Sequence, residues 1–134
     1  VRSRGLGDGY KRQEGGLYMK ICEGKEVLNA ELLCGDELLE NEVSYAFGSD
    51  LMSDVLAFVK GKTLLLTGLT NQQVVRTAEM ADLSAIVFVR GKKPGEDIVQ
   101  LATEKDIALL LTRDTMYTAS GKLYSNGLEG VSID

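Results

Sequence analysis

The residues best suited to holding a ligand fall in four short turns. These are Gly48-Ser49-Asp50, Gly68-Leu69-Thr70-Asn71, Arg90-Gly91-Lys92-Lys93 and Arg113-Asp114-Thr115, with Thr67 and Thr112 just ahead of the second and fourth. Glycine lets backbone approach a ligand closely, hydroxyls and amides hydrogen-bond it, and Arg and Lys neutralise negative charge. Such a set suits a phosphate or a carboxylate. The candidate ligand-binding residues are therefore Gly48, Ser49, Asp50, Thr67, Gly68, Thr70, Asn71, Arg90, Gly91, Thr112, Arg113, Asp114 and Thr115. Each also has a plainer use: Ser49, Asp50, Thr70 and Asp114 can cap helices, and the glycines can turn the chain.

Other chemistry is thin. The chain has no His, which removes the commonest general base, the His-dependent nucleophile systems and most zinc sites. Cys22 and Cys34 have eleven residues between them, which is not metal-ligand spacing. They read as half-buried thiols of a reducing cytosol, with a redox pair as the second reading. There is no Walker A sequence, and the Gly-rich GLGDG of residues 5–9 neither follows a strand nor opens a helix. Asp50 and Asp54 at i, i+4 would put two carboxylates on one helix face, open to Mg²⁺ or, with Asp114, to acid–base work. The plainer reading has Asp50 capping and Asp54 in solvent. No catalytic residue, metal or cofactor is expected.

The turns need a frame. Three apolar runs, 63–67 (TLLLT), 85–89 (AIVFV) and 107–111 (IALLL), begin 22 residues apart, twice over. Continuous apolar runs without alternation are strands buried on both faces, the mark of a parallel sheet covered by helices. The intervals hold one helix each. Thr70 to Gln73 fits a capping box, and Pro94 with Glu96 and Asp97 fits a helix start. Asp114 or Thr115 opens a last helix, ended by Asn126-Gly127. Upstream, residues 43–48 read as a strand feeding a helix at 51–59, residues 31–34 as a strand, and 25–28 as part of a short helix. The fold expected is α/β in three layers, a mostly parallel sheet of about five strands flanked by helices. In such sheets ligands bind beyond the carboxyl ends of the strands, where the four turns fall.

The chain has 134 residues, 44 % hydrophobic and 26 % charged, enough for one self-sufficient domain. Fifteen basic against 20 acidic residues give a net charge of −5, which argues against nucleic acid or an anionic membrane as partner. No apolar run approaches the ~20 residues of a membrane span. Residues 1–18 differ from the rest: they hold five of the 15 glycines and four basic residues, and fit neither a helix nor a strand. They read as a non-native or disordered extension ahead of a true start at Met19, with an arm for an acidic partner as the alternative. Residues 19–128 would then be the domain and 129–134 a tail.

The segments 43–59 (VSYAFGSDLMSDVLAFV), 63–94 and 107–124 (IALLLTRDTMYTASGKLY) together resemble a stand-alone DRTGG domain, similar to the N-terminal domain of HPr kinase/phosphorylase. The name-giving Asp-Arg-Thr-Gly-Gly string is absent. Its equivalent falls on the turn Gly68 to Gln72, with Leu69 and Thr70 where an Asp-Arg pair is expected. The resemblance implies a non-catalytic, cytoplasmic regulatory module of bacterial redox, hydrogenase or signalling systems. It would bind a small anionic metabolite or nucleotide and form a homodimer or join a partner protein. A protein-interaction module with no small ligand is the alternative.

Overall fold

A computed structural model describes residues 11–13 and 16–133. Strands β1 (Lys11–Gln13) and β2 (Gly16–Lys20) pair antiparallel and lead into helix α1 (Ile21–Val27). Strand β3 (Glu31–Cys34), a single 3₁₀ turn at Asp36–Leu38, and strands β4 (Glu42–Val43) and β5 (Tyr45–Gly48) follow. The rest alternates: α2 (Met52–Phe58), β6 (Thr63–Thr67), α3 (Gln72–Met80), β7 (Ala85–Phe88), α4 (Glu96–Glu104), β8 (Ala108–Leu111), α5 (Met116–Ser125) and β9 (Glu129–Gly130).

The main sheet runs β3-β8-β7-β6-β5-β9. Strands β5 to β8 are mutually parallel neighbours and β9 joins β5 in parallel; only β3, against β8, is antiparallel. The 22-residue step lies within one residue of the register: Ala85 lies opposite Leu64 on one side and Ala108 on the other. Strand alternation then divides one apolar run between two cores. Leu64, Leu66, Ala85, Val87, Ala108 and Leu110 face α1 and α5, packing with Ile21, Leu28, Ala119 and Leu123. Leu65, Ile86, Phe88 and Leu109 face α2, α3 and α4, packing with Val55, Val75, Ala78 and Ala102. Because both faces are covered, these strands carry no polar face and their sequence shows no period of two.

Four helices stop in the same way. After α1, α3, α4 and α5 come Asn29, Asp82, Asp106 and Gly127, all with φ between +50° and +101°. Glycine, Asn and Asp are the residues that tolerate this left-handed conformation best. Each is followed by a buried apolar residue whose N–H closes back on the helix: Ala30 to Lys25 (2.9 Å), Leu83 to Ala78 (2.8 Å), Ile107 to Ala102 (2.9 Å) and Leu128 to Leu123 (3.0 Å). These are Schellman closures, and each fixes where the following strand begins.

Several elements differ from the sequence expectation. Residues 43–48 are not one strand: Glu42–Val43 pairs with β2 in a second, three-stranded sheet, and Tyr45–Gly48 with β6 in the main one. The cap of α3 is Asn71, whose side chain accepts from the Val74 N–H at 3.3 Å; the Thr70–Gln73 box does not form. Helix α4 starts at Glu96 behind Gly95, so Pro94 stands outside it. Of the segment 1–18, residues 1–10 and 14–15 lie outside the described residues, while 11–13 and 16–18 contribute to a hairpin where no strand was expected. Glu129–Gly130, read as tail, is an edge strand.

Candidate functional site

The parallel strands β5 to β8 end along one rim, and all thirteen candidate residues lie on or just beyond it. Helices α2 to α4 leave this rim toward one face and α5 toward the other. The chain therefore leaves β7 and β8 toward opposite faces of the sheet, the arrangement beside which open α/β sheets bind ligands.

Two clusters form there. In the first, Asp50 Oδ1 accepts from the Gly68 N–H (2.7 Å) and the Thr67 hydroxyl (3.0 Å), and Thr67 Oγ1 accepts from the Leu69 N–H (3.2 Å). Asp50 thus caps no helix; it ties the exit of β5 to the exit of β6. Over this knot lies the guanidinium of Arg90, so close that a Cβ on Gly68 would collide with it. In the second, the Arg90 N–H donates to Asp114 O (2.7 Å) and the Gly91 N–H to Thr112 O (2.9 Å), stitching the β7 and β8 exits together. Thr112 Oγ1, buried, donates to Leu28 O (3.1 Å) and accepts from the Asp114 N–H (3.2 Å), a turn of the same kind as that at Thr67. The Asp114 carboxylate pairs with Lys122 Nζ at 2.9 Å, an ion pair in which buried Oδ2 receives no directed hydrogen bond.

Arg90 has φ +61°, followed by Gly91 at +66°. A left-handed residue other than glycine costs roughly 1–2 kcal/mol, and Arg has no local hydrogen bond to offset it, unlike Asn or Asp. The guanidinium is exposed and takes part in no ion pair among the described residues, and the same holds for Lys92, Lys93 and Arg113. Four unneutralised cations on two adjoining turns stand out in a chain of net charge −5.

The remaining candidates do not join these two clusters. Asn71 and Thr115 cap α3 and α5, so for them the plain structural use is the observed one. Ser49 closes its own turn, accepting from the Leu51 N–H at 2.9 Å. Thr70 precedes the α3 cap, and Gly48 turns toward Met116 of α5. Sequence reasoning missed Lys122, eight residues beyond Asp114 on the following helix. It also missed a groove of about 700 Å³ between α5 and the β5/β9 edge, which meets the rim at Gly48 and Lys122. The spacing Tyr117, Gly121, Tyr124 on one helix face was the available signal.

Among the described residues, no group of three His, Cys, Asp or Glu could hold a metal ion, and no helix is long and apolar enough to cross a membrane. Cys22 and Cys34 are both free and half-buried. Burial first, then the Glu40 and Glu23 carboxylates, pushes the Cys22 thiol above its ordinary pKa. At pH 8 Cys22 should alkylate several-fold more slowly than a free thiol, because only thiolate reacts; an iodoacetamide time course read by mass spectrometry checks this.

The chain belongs to the DRTGG domain family, which matches residues 25–125. In structure it is similar to the CBS and DRTGG domains of the regulatory region of Clostridium perfringens pyrophosphatase, there complexed with its activator diadenosine tetraphosphate. The TM-score is 0.61 at 16% identity, over 79% of this chain and 46% of that one. The chain spans about half the length of that region, and identity this low speaks to the shared fold. No curated protein matches the chain.

Proposed function

We propose that this chain is a non-catalytic regulatory module that takes a small polyanionic ligand, of nucleotide type, at the diverging exits of β7 and β8. The observation that carries the reading is Arg90: a strained left-handed residue, pinned by its own backbone to Asp114, whose guanidinium lies over Gly68 with no carboxylate partner among the described residues. Lys92, Lys93 and Arg113 add positive charge beside it, a pattern that favours several phosphates over one carboxylate. The pyrophosphatase region of the same fold is complexed with a dinucleoside polyphosphate, which supports the ligand class. Of the three carboxylates weighed for acid–base work, two are engaged at the rim: Asp50 by Gly68 and Thr67, and Asp114 by Lys122. The family resemblance adds bacterial redox, hydrogenase or signalling systems as the setting.

Thermal shift and calorimetry against nucleotides, dinucleoside polyphosphates, sugar phosphates and acyl phosphates test the reading. A ligand at 100 times its Kd should stabilise the protein by ~2.7 kcal/mol. Arg90→Gly should weaken that ligand at least tenfold, the scale of one charge-assisted contact of ~1.4 kcal/mol or more. The same change should leave stability unchanged or raise it by up to about 1 kcal/mol, as relief at φ +61° offsets the freer unfolded chain. A flat response across all four ligand classes overturns the proposal.

A further inference from the structure

The groove beside α5 is continuous with the rim at which Arg90 stands. Gly48, at the end of β5, lies opposite Leu66 of β6, and Gly68 follows Leu66 by two residues. Neighbouring strands are ~4.8 Å apart and rise ~3.3 Å per residue, so the rim end of the groove and the Gly68 surface under the Arg90 guanidinium are roughly 8 Å apart. One residue touches both places. Asp114 O accepts from the Arg90 N–H at 2.7 Å, and Asp114 Oδ2 pairs at 2.9 Å with Lys122 Nζ, whose side chain lines the groove.

The groove's volume of about 700 Å³ is in the range of small-molecule sites, and its lining suits an uncharged aromatic heterocycle. Tyr117 and Tyr124, 88% and 72% exposed, bring two aromatic rings to it. They stand seven residues apart on one face of α5, about 10.5 Å along the axis. A ring stacked between two others needs roughly 9–14 Å, two centroid steps of 4.5–7 Å each. The turn between the tyrosines carries Gly121, and a Cβ built there meets nothing within 4 Å, which leaves a slot bare of side chain. Lys122 is the one charged residue lining the groove among the described residues. Asn126 Nδ2 donates to Lys122 O at 2.7 Å, which leaves Oδ1 as an acceptor for an exocyclic amine.

We infer that this groove is a base subsite: the heterocycle of a nucleotide lies between Tyr117 and Tyr124 over Gly121, and its ribose carries the phosphates across the rim to Arg90. The inference rests on the proposed phosphate site at Arg90 and adds to it the part of the ligand that gives selectivity. Stacking on tyrosine is tolerant of base identity, because every base has a π-face. The groove therefore selects nucleotides over bare polyphosphates more sharply than it selects one base over another. Lys122 stands at the junction, where it neutralises Asp114, a carboxylate beside which a phosphate would otherwise be repelled.

Calorimetry of the full chain with tripolyphosphate, adenosine and ATP separates the two subsites. ATP should bind at least tenfold more tightly than tripolyphosphate, the scale of one stacked base. Gly121→Leu has room to fold, strengthens the helix and fills the slot, so its melting temperature should equal or exceed that of the parent. Tyr117→Ser removes one ring from an exposed position. Each variant should abolish the preference for ATP and leave tripolyphosphate affinity unchanged. Arg90→Gly should weaken tripolyphosphate and ATP together and leave adenosine unaffected. ATP that binds no more tightly than tripolyphosphate, or a preference that survives both Gly121→Leu and Tyr117→Ser, overturns the inference and leaves the phosphate site standing. Adenosine and ATP binding that responds to Gly121→Leu but not to Arg90→Gly overturns the phosphate site and leaves the groove as a nucleoside site. No binding of any of the three overturns both.

Discussion

Replacing Gly35 by alanine should cost about 3 kcal/mol or more and lower the melting temperature by roughly 10 °C, the slope expected for a domain of this size. Two penalties add. Gly35 has φ +94°, where an L side chain costs roughly 1–2 kcal/mol. The new Cβ would also stand 2.5 Å from Ala108 Cα and 3.2 Å from Ala108 N, backbone of a central buried strand that cannot retreat. Strand β3 would have to leave β8, giving up the pairing of Leu32 with Leu110. Gly61→Ala separates the two penalties, since Gly61 has φ +63° and open space around it. It should cost only the backbone part, about 1 kcal/mol. Urea unfolding of both variants measures the difference; equal costs would mean that the approach of Gly35 to Ala108 carries no energy.

The contrast between β8 and β3 also explains what could be read from the sequence. The runs at 63, 85 and 107 were legible because burial on both faces leaves a continuous apolar string, and because each link holds one short helix between fixed stops. Asn29, Asp82 and Asp106, each followed by a buried apolar residue, were further punctuation written in the sequence, as Asn126-Gly127-Leu128 was. The antiparallel sense of β3 was not legible, since strand direction depends on which neighbour β3 meets, a contact 78 residues away for the Leu32–Leu110 pair and 80 for Glu31–Leu111 (110 − 32 and 111 − 31). The same limit governed the site. The four turns fall on one rim because parallel strands force their exits onto one edge. Turn composition could not separate Asn71 and Thr115, spent on capping, from Arg90, left uncommitted. That distinction is set by φ at Arg90 and by the reach of Asp50 across to Gly68, and neither quantity belongs to a local window of sequence.

Asp50 is where stability and binding should prove to be coupled. Its carboxylate is largely solvent-exposed, yet Oδ1 is the acceptor for two buried groups, the Gly68 N–H and the Thr67 hydroxyl. Hydrogen bonds to a charged acceptor contribute about 1.5–3 kcal/mol, and solvent access moves this pair toward the lower end. Asp50→Ala leaves both donors short of a partner in a turn too narrow to shift, so a loss of about 2 kcal/mol is expected. The consequence extends past stability, because Gly68 is the surface on which the Arg90 guanidinium rests. With the knot untied, the turn after β6 gains freedom and Arg90 loses its support; affinity for an anionic ligand should fall several-fold although Asp50 itself repels such a ligand. Asp50→Asn retains an acceptor oxygen with no negative charge. It should keep most of the stability and bind the anion as well as the parent or better. Calorimetric affinity and urea midpoints for the two variants test the coupling. If Asp50→Ala binds more tightly than the parent, simple charge removal dominates and Asp50 has no part in holding Arg90 in place.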